Sequence, residues 1–559
     1  MNLYKFKIWL LSTFVIVGFI FFSGLFLQNV YTLQFSNSEY FQNQALSYRV
    51  ETEVLKSKRG SIYDRNLNLI TSTTRSFNVG IRPKEINNPY EVSNILSSFL
   101  GVSKEKIYEK ITSSNNYFYL ARNIDYEKGL EIESWLIDGV ILEESNKRIN
   151  HNESFKNIVG NVDVDGNGIE GLELYFDYQL QGIDGEIKYE VSPNGKIIPQ
   201  GEIRTTQPIH GEDLLLTLDS ELQYLTEQLC SEALLETNAF NCSVVFANAN
   251  TGEVIISAEQ KNQNEFYNIN LISTRAQYEP GSSFKIFSIG HAINENNISL
   301  DKEYIVEDTI EIIPGSCDKN YEGYRGCYRD FLKHDPYVLT VEEIIERSSN
   351  VGTILATQDL DVNQLEDFLT KFGFTSKTGI ELTGEAKGSF DKNKTCATCL
   401  SSLSIGYSAN VTQMQMVKAY SIIVNGGKDI SLSLVKKPYL HSNRTQVINE
   451  ELSKTLKGFL INVVEGENGT AKSLQMDGYI IGGKTGTSRT HIEGVGYSSE
   501  RFNTSFTGFV ETTEGPIVGS VILWGASTTS PEYEYVTGGS TAAPIFKTIV
   551  SYFSSGDNK

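Results

Sequence analysis

Glu279-Pro280-Gly281-Ser282-Ser283-Phe284-Lys285-Ile286-Phe287 is the stretch of this 559-residue chain on which its reading turns. Pro280 and Gly281 precede an apolar run with helical spacing, so a helix is predicted to begin at about Ser282. At i, i+3 the Lys285 amine shares a helical face with the Ser282 hydroxyl. A hydroxyl is a weak nucleophile until a base takes its proton, and a lysine serves as that base when burial or a neighbouring cation disfavours its ammonium form. The helix N-terminus adds backbone N–H groups and a positive dipole end beside any carbonyl under attack. Ser-x-x-Lys alone, however, arises by chance in a chain this long and reads equally as a solvated helix start.

The company it keeps changes that reading. Downstream, Glu346-Arg347-Ser348-Ser349-Asn350-Val351-Gly352 offers a hydroxyl, Ser348, and an amide, Asn350, two positions apart. Further on, Tyr479-Ile480-Ile481-Gly482-Gly483-Lys484-Thr485-Gly486-Thr487 predicts a strand with small residues where something must approach its edge. Ser-x-x-Lys, Ser-x-Asn and Lys-Thr-Gly in that order are the signature of penicillin-binding proteins and serine β-lactamases. On these residues the chain resembles a class B penicillin-binding protein. A second Lys-Thr-Gly at Lys377-Thr378-Gly379 follows the loop-like Phe372-Gly373-Phe374-Thr375-Ser376 and is set aside, because the strand and the paired glycines belong to the later copy.

The resemblance spans nearly the whole chain. Arg59-Gly60-Ser61-Ile62-Tyr63-Asp64-Arg65-Asn66 is similar to the motif that opens the family's non-catalytic pedestal, and Gly168-Ile169-Glu170-Gly171-Leu172-Glu173 to a segment near its end. Thr217-Leu218-Asp219 with Leu222-Gln223, Val464-Glu465-Gly466 with Gly469-Thr470-Ala471, and Ala542-Ala543-Pro544-Ile545-Phe546 resemble stretches of the catalytic domain. Two positions depart from the pattern: Ser408 replaces a usual glycine, and Trp524 stands where polar residues are usual. The expected architecture is α+β. A tail and anchor (1–28) and a stalk and mixed α/β pedestal of the dimerisation type (29–210) precede a transpeptidase domain with an antiparallel sheet and helices (211–559).

Patterning supports that sheet. Ser243–Ala247 and Glu253–Ser257, joined through Asn250-Thr251-Gly252, predict a hairpin. Ser505–Val510 and Ile517–Trp524 predict another pair, and 541–553 a closing helix, so strands from both ends of one region complete one sheet. Asp219 is a predicted cap for a helix over Leu222–Leu235. The loop 160–171, with Asp163, Asp165 and Asn167, lacks the ligand spacing of a calcium-binding EF-hand and reads as a loop.

Composition narrows the partners. A net charge of −21 excludes a phosphate-neutralising nucleic-acid binder in ordinary terms. Lys5 and Lys7 precede an apolar run reaching Leu27, with no charge before Glu39. About 20 apolar residues cross the hydrocarbon core, and the lysine bias predicts a cytoplasmic tail with everything else outside. No small-x-small site closes the run as in a cleaved signal peptide. Six cysteines (Cys230, Cys242, Cys317, Cys327, Cys396 and Cys399) in short-range pairs fit an oxidising compartment, neighbour pairing being the expectation. Cys396-Ala397-Thr398-Cys399 alternatively reads as a redox or metal motif, without a second such motif or a nearby histidine to support it.

The resemblance implies a peptidoglycan D,D-transpeptidase that forms a serine acyl-enzyme, is acylated by β-lactams, and uses no cofactor or metal. Ser282 is the implied nucleophile and Lys285, held near Lys484, its base; Ser348 relays a proton and Asn350 binds the substrate amide. Lys484, Thr485, Gly486 and Thr487 form the carboxylate-binding strand, and the N–H groups of Ser282 and Thr487 the oxyanion hole. Stem peptides are the implied substrates. A membrane-embedded glycan polymerase and division or elongation proteins are the implied partners. A β-lactamase shares the first steps but would normally lack the region before Gly211, and a β-lactam sensor usually has several spans. A scaffold working through anchor and pedestal is the non-enzymatic alternative.

Overall fold

The computed structural model describes residues 3–36, 40, 49–192, 196–199, 201, 203–262, 269–295, 298–318, 326–391, 395–437, 444–492, 494, 496–527 and 535–556. The catalytic region is built on a five-stranded antiparallel sheet whose spatial order is Val254–Lys261, Asn241–Asn248, Gly515–Ser527, Gly496–Thr512, Ile481–Ile492. The predicted hairpin forms with Val254 opposite Ala247, and the Asn248 side chain accepts from the Asn250 and Thr251 N–H groups to close its turn. The second pair forms with Val510 opposite Ile517. Its last strand inserts beside the first, Val521 facing Val244, so the two ends of the region meet at the centre of the sheet.

Asn241–Asn248 is buried at every position, which is why it reads as a run and not as an alternation. Phe246 packs on Phe546 of the closing helix, Ala543–Gly556, while from the opposite face Gln413, on helix Gln413–Val424, donates to the Ser243 and Ser520 carbonyls. The outer strand Val254–Lys261 has part of its open edge occupied by the Gln223 carboxamide, which bonds both the N–H and the C=O of Ser257. Gln223 sits on helix Ser220–Thr237, capped by Asp219 as predicted.

In the pedestal, Leu69–Ile81 is flanked by Val140–Asn150 along its length and by Phe118–Asp125 on its other side. Helices Pro89–Leu100 and Lys104–Ser113 cover it and bury Leu96, Ile107 and Ile111 with Val79 and Ile81, a core separate from the catalytic one. Ile62–Tyr63 pairs antiparallel with Leu69–Ile81 and parallel with Leu214–Leu215, and Leu216 then bridges to Val435. The pedestal sheet thus runs directly into the catalytic region.

The two pedestal motifs seen in the sequence meet here. Arg59, 8% exposed, bonds Glu173 Oε2 at 2.5 Å and Asp177 Oδ1 at 2.7 Å, and Arg148 takes Glu173 Oε1 at 2.7 Å. Asp64 is buried and accepts from Asn66, Asn68 and the Ser220 N–H, tying the motif to the first catalytic helix. Gly60 is required because a Cβ there would lie 1.9 Å from the Glu212 carbonyl oxygen. In the 160–171 loop the Asp163 carboxylate is occupied by the N–H groups of Asp165 and Asn167.

Leu3–Tyr31 is one continuous helix with its apolar side chains exposed, long and apolar enough to cross a membrane. At ~1.5 Å per residue its 29 residues reach about 44 Å, more than the ~30 Å hydrocarbon thickness. Glu39 and much of the stalk lie outside the described residues. The cysteines pair as neighbours: Cys230–Cys242, Cys317–Cys327 and Cys396–Cys399.

Candidate active site

The predicted helix at Ser282 begins as a 3-10 turn, Gly281–Phe284, and becomes α-helical at Lys285, continuing to Asn294. A 3-10 turn eclipses residues three apart, so the face shared by Ser282 and Lys285 is kept. Gly281 has φ +54°, and a Cβ there would stand 3.0 Å from the Thr487 carbonyl. Its N–H donates to the Gly406 carbonyl at 3.1 Å. Only glycine lets the turn seat this closely against the Ile481–Ile492 strand.

A cleft of about 850 Å³ opens beside this turn, lined by Ser282, Ser348, Asn350, Thr470, Thr485 and Thr487 among others. All three motifs therefore converge on one space. Strand alternation sorts the third motif: Thr485, Thr487 and Arg489 face the cleft, whereas Lys484, 0% exposed, is not among its lining residues. Thr485 Oγ1 lies 3.1 Å from Thr470 Oγ1, and Thr487 Oγ1 accepts from the Gly538 N–H at 3.2 Å. Gly486 is pressed on the nucleophile's turn, since a Cβ there would be 3.0 Å from the Pro280 carbonyl.

Lys285 is fully buried and donates from Nζ to the Ser348 carbonyl at 2.6 Å, joining the first motif to the second. Burial pulls its amine down from about 10.5 to about 7, with the Asp330 charge opposing. Burial is thus the largest cause, and the expected closeness of Lys484 and Lys285 shows in the repulsion between them. Lys484 is held far below the ordinary lysine value, by burial first and by the Lys285 charge second.

Ser348 ends helix Val341–Arg347 in the left-handed region, φ +61°, and Ser349 caps helix Asn350–Thr357. The Asn350 carboxamide donates to the Arg329 carbonyl at 2.7 Å. Asp330 was missed by sequence reasoning: it carries no motif, and only folding brings residues 326–337 along this wall of the cleft. Glu279 was also missed. Its carboxylate accepts from the Ser408 N–H and the Tyr497 hydroxyl, and burial raises it above the usual carboxylate range.

Both departures from the family pattern have local explanations. Ser408 has φ +63°, the conformation a glycine adopts without cost. Trp524 is buried against Tyr278 and donates from Nε1 to Ser243 Oγ at 2.8 Å, so its polar edge is satisfied. The second Lys-Thr-Gly folds elsewhere, its Thr378 and Gly379 N–H groups held by the buried Glu385 carboxylate.

A serine on a cleft and a buried lysine of lowered basicity behind it, with a hydroxyl, an amide and a threonine-lined strand around them, form the arrangement expected of an acyl-transferring serine enzyme. Residues 242–551 match the model of the penicillin binding protein transpeptidase domain and residues 54–216 that of the penicillin-binding protein dimerisation domain. The chain belongs to the class B penicillin-binding proteins. It is 28% identical to stage V sporulation protein D of Bacillus subtilis over 88% of this chain and 77% of the relative. It is 26% identical to the peptidoglycan D,D-transpeptidase FtsI of Buchnera aphidicola over 97% and 94%. Among solved structures, penicillin binding protein 3 of Mycobacterium tuberculosis complexed with aztreonam shares the fold, with TM-score 0.66 and 22% identity over 90% of this chain and 97% of that one.

Proposed function

We propose that this transpeptidase cross-links peptidoglycan by taking D-Ala-D-Ala stem peptides onto Ser282 and passing the acyl group to an amine of a neighbouring stem. Lys285 Nζ accepts the Ser282 Oγ proton as Oγ bonds the penultimate D-alanine carbonyl carbon. The N–H groups of Ser282 and Thr487 stabilise the resulting oxyanion. The C–N bond then breaks, and the Ser348 hydroxyl relays a proton to the departing D-alanine amine. Asn350 binds the substrate's peptide amide. Thr485 and Thr487 receive the terminal carboxylate from the cleft side, with Gly486 allowing close approach and Lys484 beneath them completing the carboxylate-binding strand. β-Lactams acylate the same serine.

The observation that carries this reading is the burial of Lys285, three residues from the cleft-lining Ser282, and its fall to about 7, which makes the neutral amine accessible near neutral pH. Ser282→Ala is expected to abolish covalent labelling of the full chain by a fluorescent penicillin. Stoichiometric labelling of that variant would sink the assignment.

Residues 1–28 form the tail and single-pass anchor with a cytoplasmic N-terminus, 29–210 the stalk and pedestal, and 211–559 the extracytoplasmic catalytic domain. The matched ranges, the apolar helix and the cysteine pairing support this division. A membrane-embedded glycan polymerase and the division or elongation machinery are the proposed partners.

A further inference from the structure

Asp330 belongs to none of the three motifs, yet three donors and His334 Nε2 converge on its carboxylate. Oδ1 accepts from the N–H groups of Asn350 at 2.5 Å and Val351 at 3.1 Å. Oδ2 accepts from Ser349 Oγ at 2.7 Å and meets His334 Nε2 at 3.2 Å. The Asp330 and His334 side chains are each 10% exposed. His334 is itself fixed, with Nδ1 2.8 Å from the Asp335 carbonyl and its ring stacked 4.2 Å over Tyr337.

The turn these bonds grip is strained. Ser348 at φ +61° occupies a region that is unfavourable for a non-glycine residue and persists only where the surroundings impose it. Its carbonyl must nevertheless stay in place, because it accepts the bond from the base Lys285. The helix ending at Arg347 fixes one side of the turn through the Ser348 N–H, which donates to the Ile345 carbonyl. Asp330 fixes the other.

We propose that Asp330, held by His334, is a positioning residue of the transpeptidase, clamping the Ser348–Asn350 turn against Lys285. This rests on the assignment of Ser282 and Lys285 as nucleophile and base. Arg329, Lys333, His334, Arg347, Glu467 and Arg489 line the same cleft, and from the sheet Lys484 feels the Lys285 charge. The Asp330 charge acts on Lys285 itself and favours its ammonium form against burial. A purely structural clamp would not depend on that charge.

Asp330→Asn separates the two contributions. The carboxamide oxygen can keep both backbone N–H bonds, and its NH2 faces Ser349 Oγ and His334 Nε2, each able to accept. Acylation of the full chain in detergent by a fluorescent penicillin is followed at pH values on both sides of 7. Asp330→Asn is expected to keep its plateau within about threefold of the parent and to reach half-maximal rate at a lower pH. Asp330→Ala, which releases the turn, is expected to lose about tenfold or more at every pH, as misplaced catalytic groups do. If Asp330→Ala does not fold, the Asp330→Asn midpoint still decides. A midpoint that stays or rises overturns the proposal, as does a parental rate in folded Asp330→Ala. Failure of the underlying assignment is distinguishable, because Ser282→Ala would then still be labelled.

Discussion

At the scale of single residues, the proposed chemistry depends on a lysine that burial has made a usable base. Lys285 falls from about 10.5 to about 7 because burial disfavours its ammonium. In the proposed mechanism the neutral amine accepts the Ser282 proton, so the acylation rate is expected to rise with pH, pass half-maximum near 7 and level off above. Stopped-flow acylation by a chromogenic β-lactam measures this; a midpoint near the ordinary lysine value would remove Lys285 from the role. Lys285→Arg, which stays charged, is expected to lose about 10²-fold or more. The spacing of Ser282 and Lys285 was legible in the sequence because a helical repeat fixes which residues share a face. The extent of the lysine's burial was not, because it arises only when distant chain, the Ser348 turn included, closes over it. Asp330 was illegible for a related reason: one aspartate 20 residues before Asn350 has no local signature, and its partners assemble only in the folded loop.

At the scale of elements, the site is a contact between the Gly281–Phe284 turn and the Ile481–Ile492 strand. Strand prediction succeeded here because alternation and Asn/Gly turn chemistry are local. That strands from both ends of the region complete one sheet was inferred from the sequence, and the Val244–Val521 pairing bears that out. Three letters could not tell one Lys-Thr-Gly from another; the glycine pair before Lys484 did, and the fold shows why. Gly483 and Gly486 sit where a Cβ would meet Phe506 and Ser505 side chains at 2.4 Å, while the turn at Thr378 is organised by Glu385 instead. Gly486→Ala therefore pushes its new methyl toward the Ser505 hydroxyl and the Pro280 carbonyl. Such overpacking costs ~1–3 kcal/mol and displaces the strand from the nucleophile's turn. Lower thermal stability and slower acylation are both expected; a variant with parental values of each would show that the strand does not bear on the turn.

At the scale of the whole molecule, the pedestal is held by a buried charge cluster to which two separate motifs contribute, and one of those motifs also reaches the catalytic region. Glu173, 1% exposed, lies between Arg59 and Arg148, while Asp64 in the first motif reaches the N-terminus of the Ser220–Thr237 helix. The sequence exposed both motifs only through family resemblance, since residues 114 apart give no periodic signal. Breaking one partner of a buried pair costs ~3–5 kcal/mol because the other charge is left without compensation. The cluster is asymmetric, which makes the order of losses a test. Arg59→Ala leaves Glu173 still paired with Arg148, so its cost belongs at the lower end of that range. Glu173→Ala strands two buried guanidinium groups, with only the Asp177 contact and carbonyl oxygens left to Arg59, and should cost more. Thermal unfolding of the two variants, read beside penicillin labelling at low temperature, checks this. Both should label while folded and melt below the parent, Glu173→Ala lowest. Equal melting to the parent, or Arg59→Ala melting below Glu173→Ala, would mean that the cluster does not hold the pedestal in the way its geometry indicates.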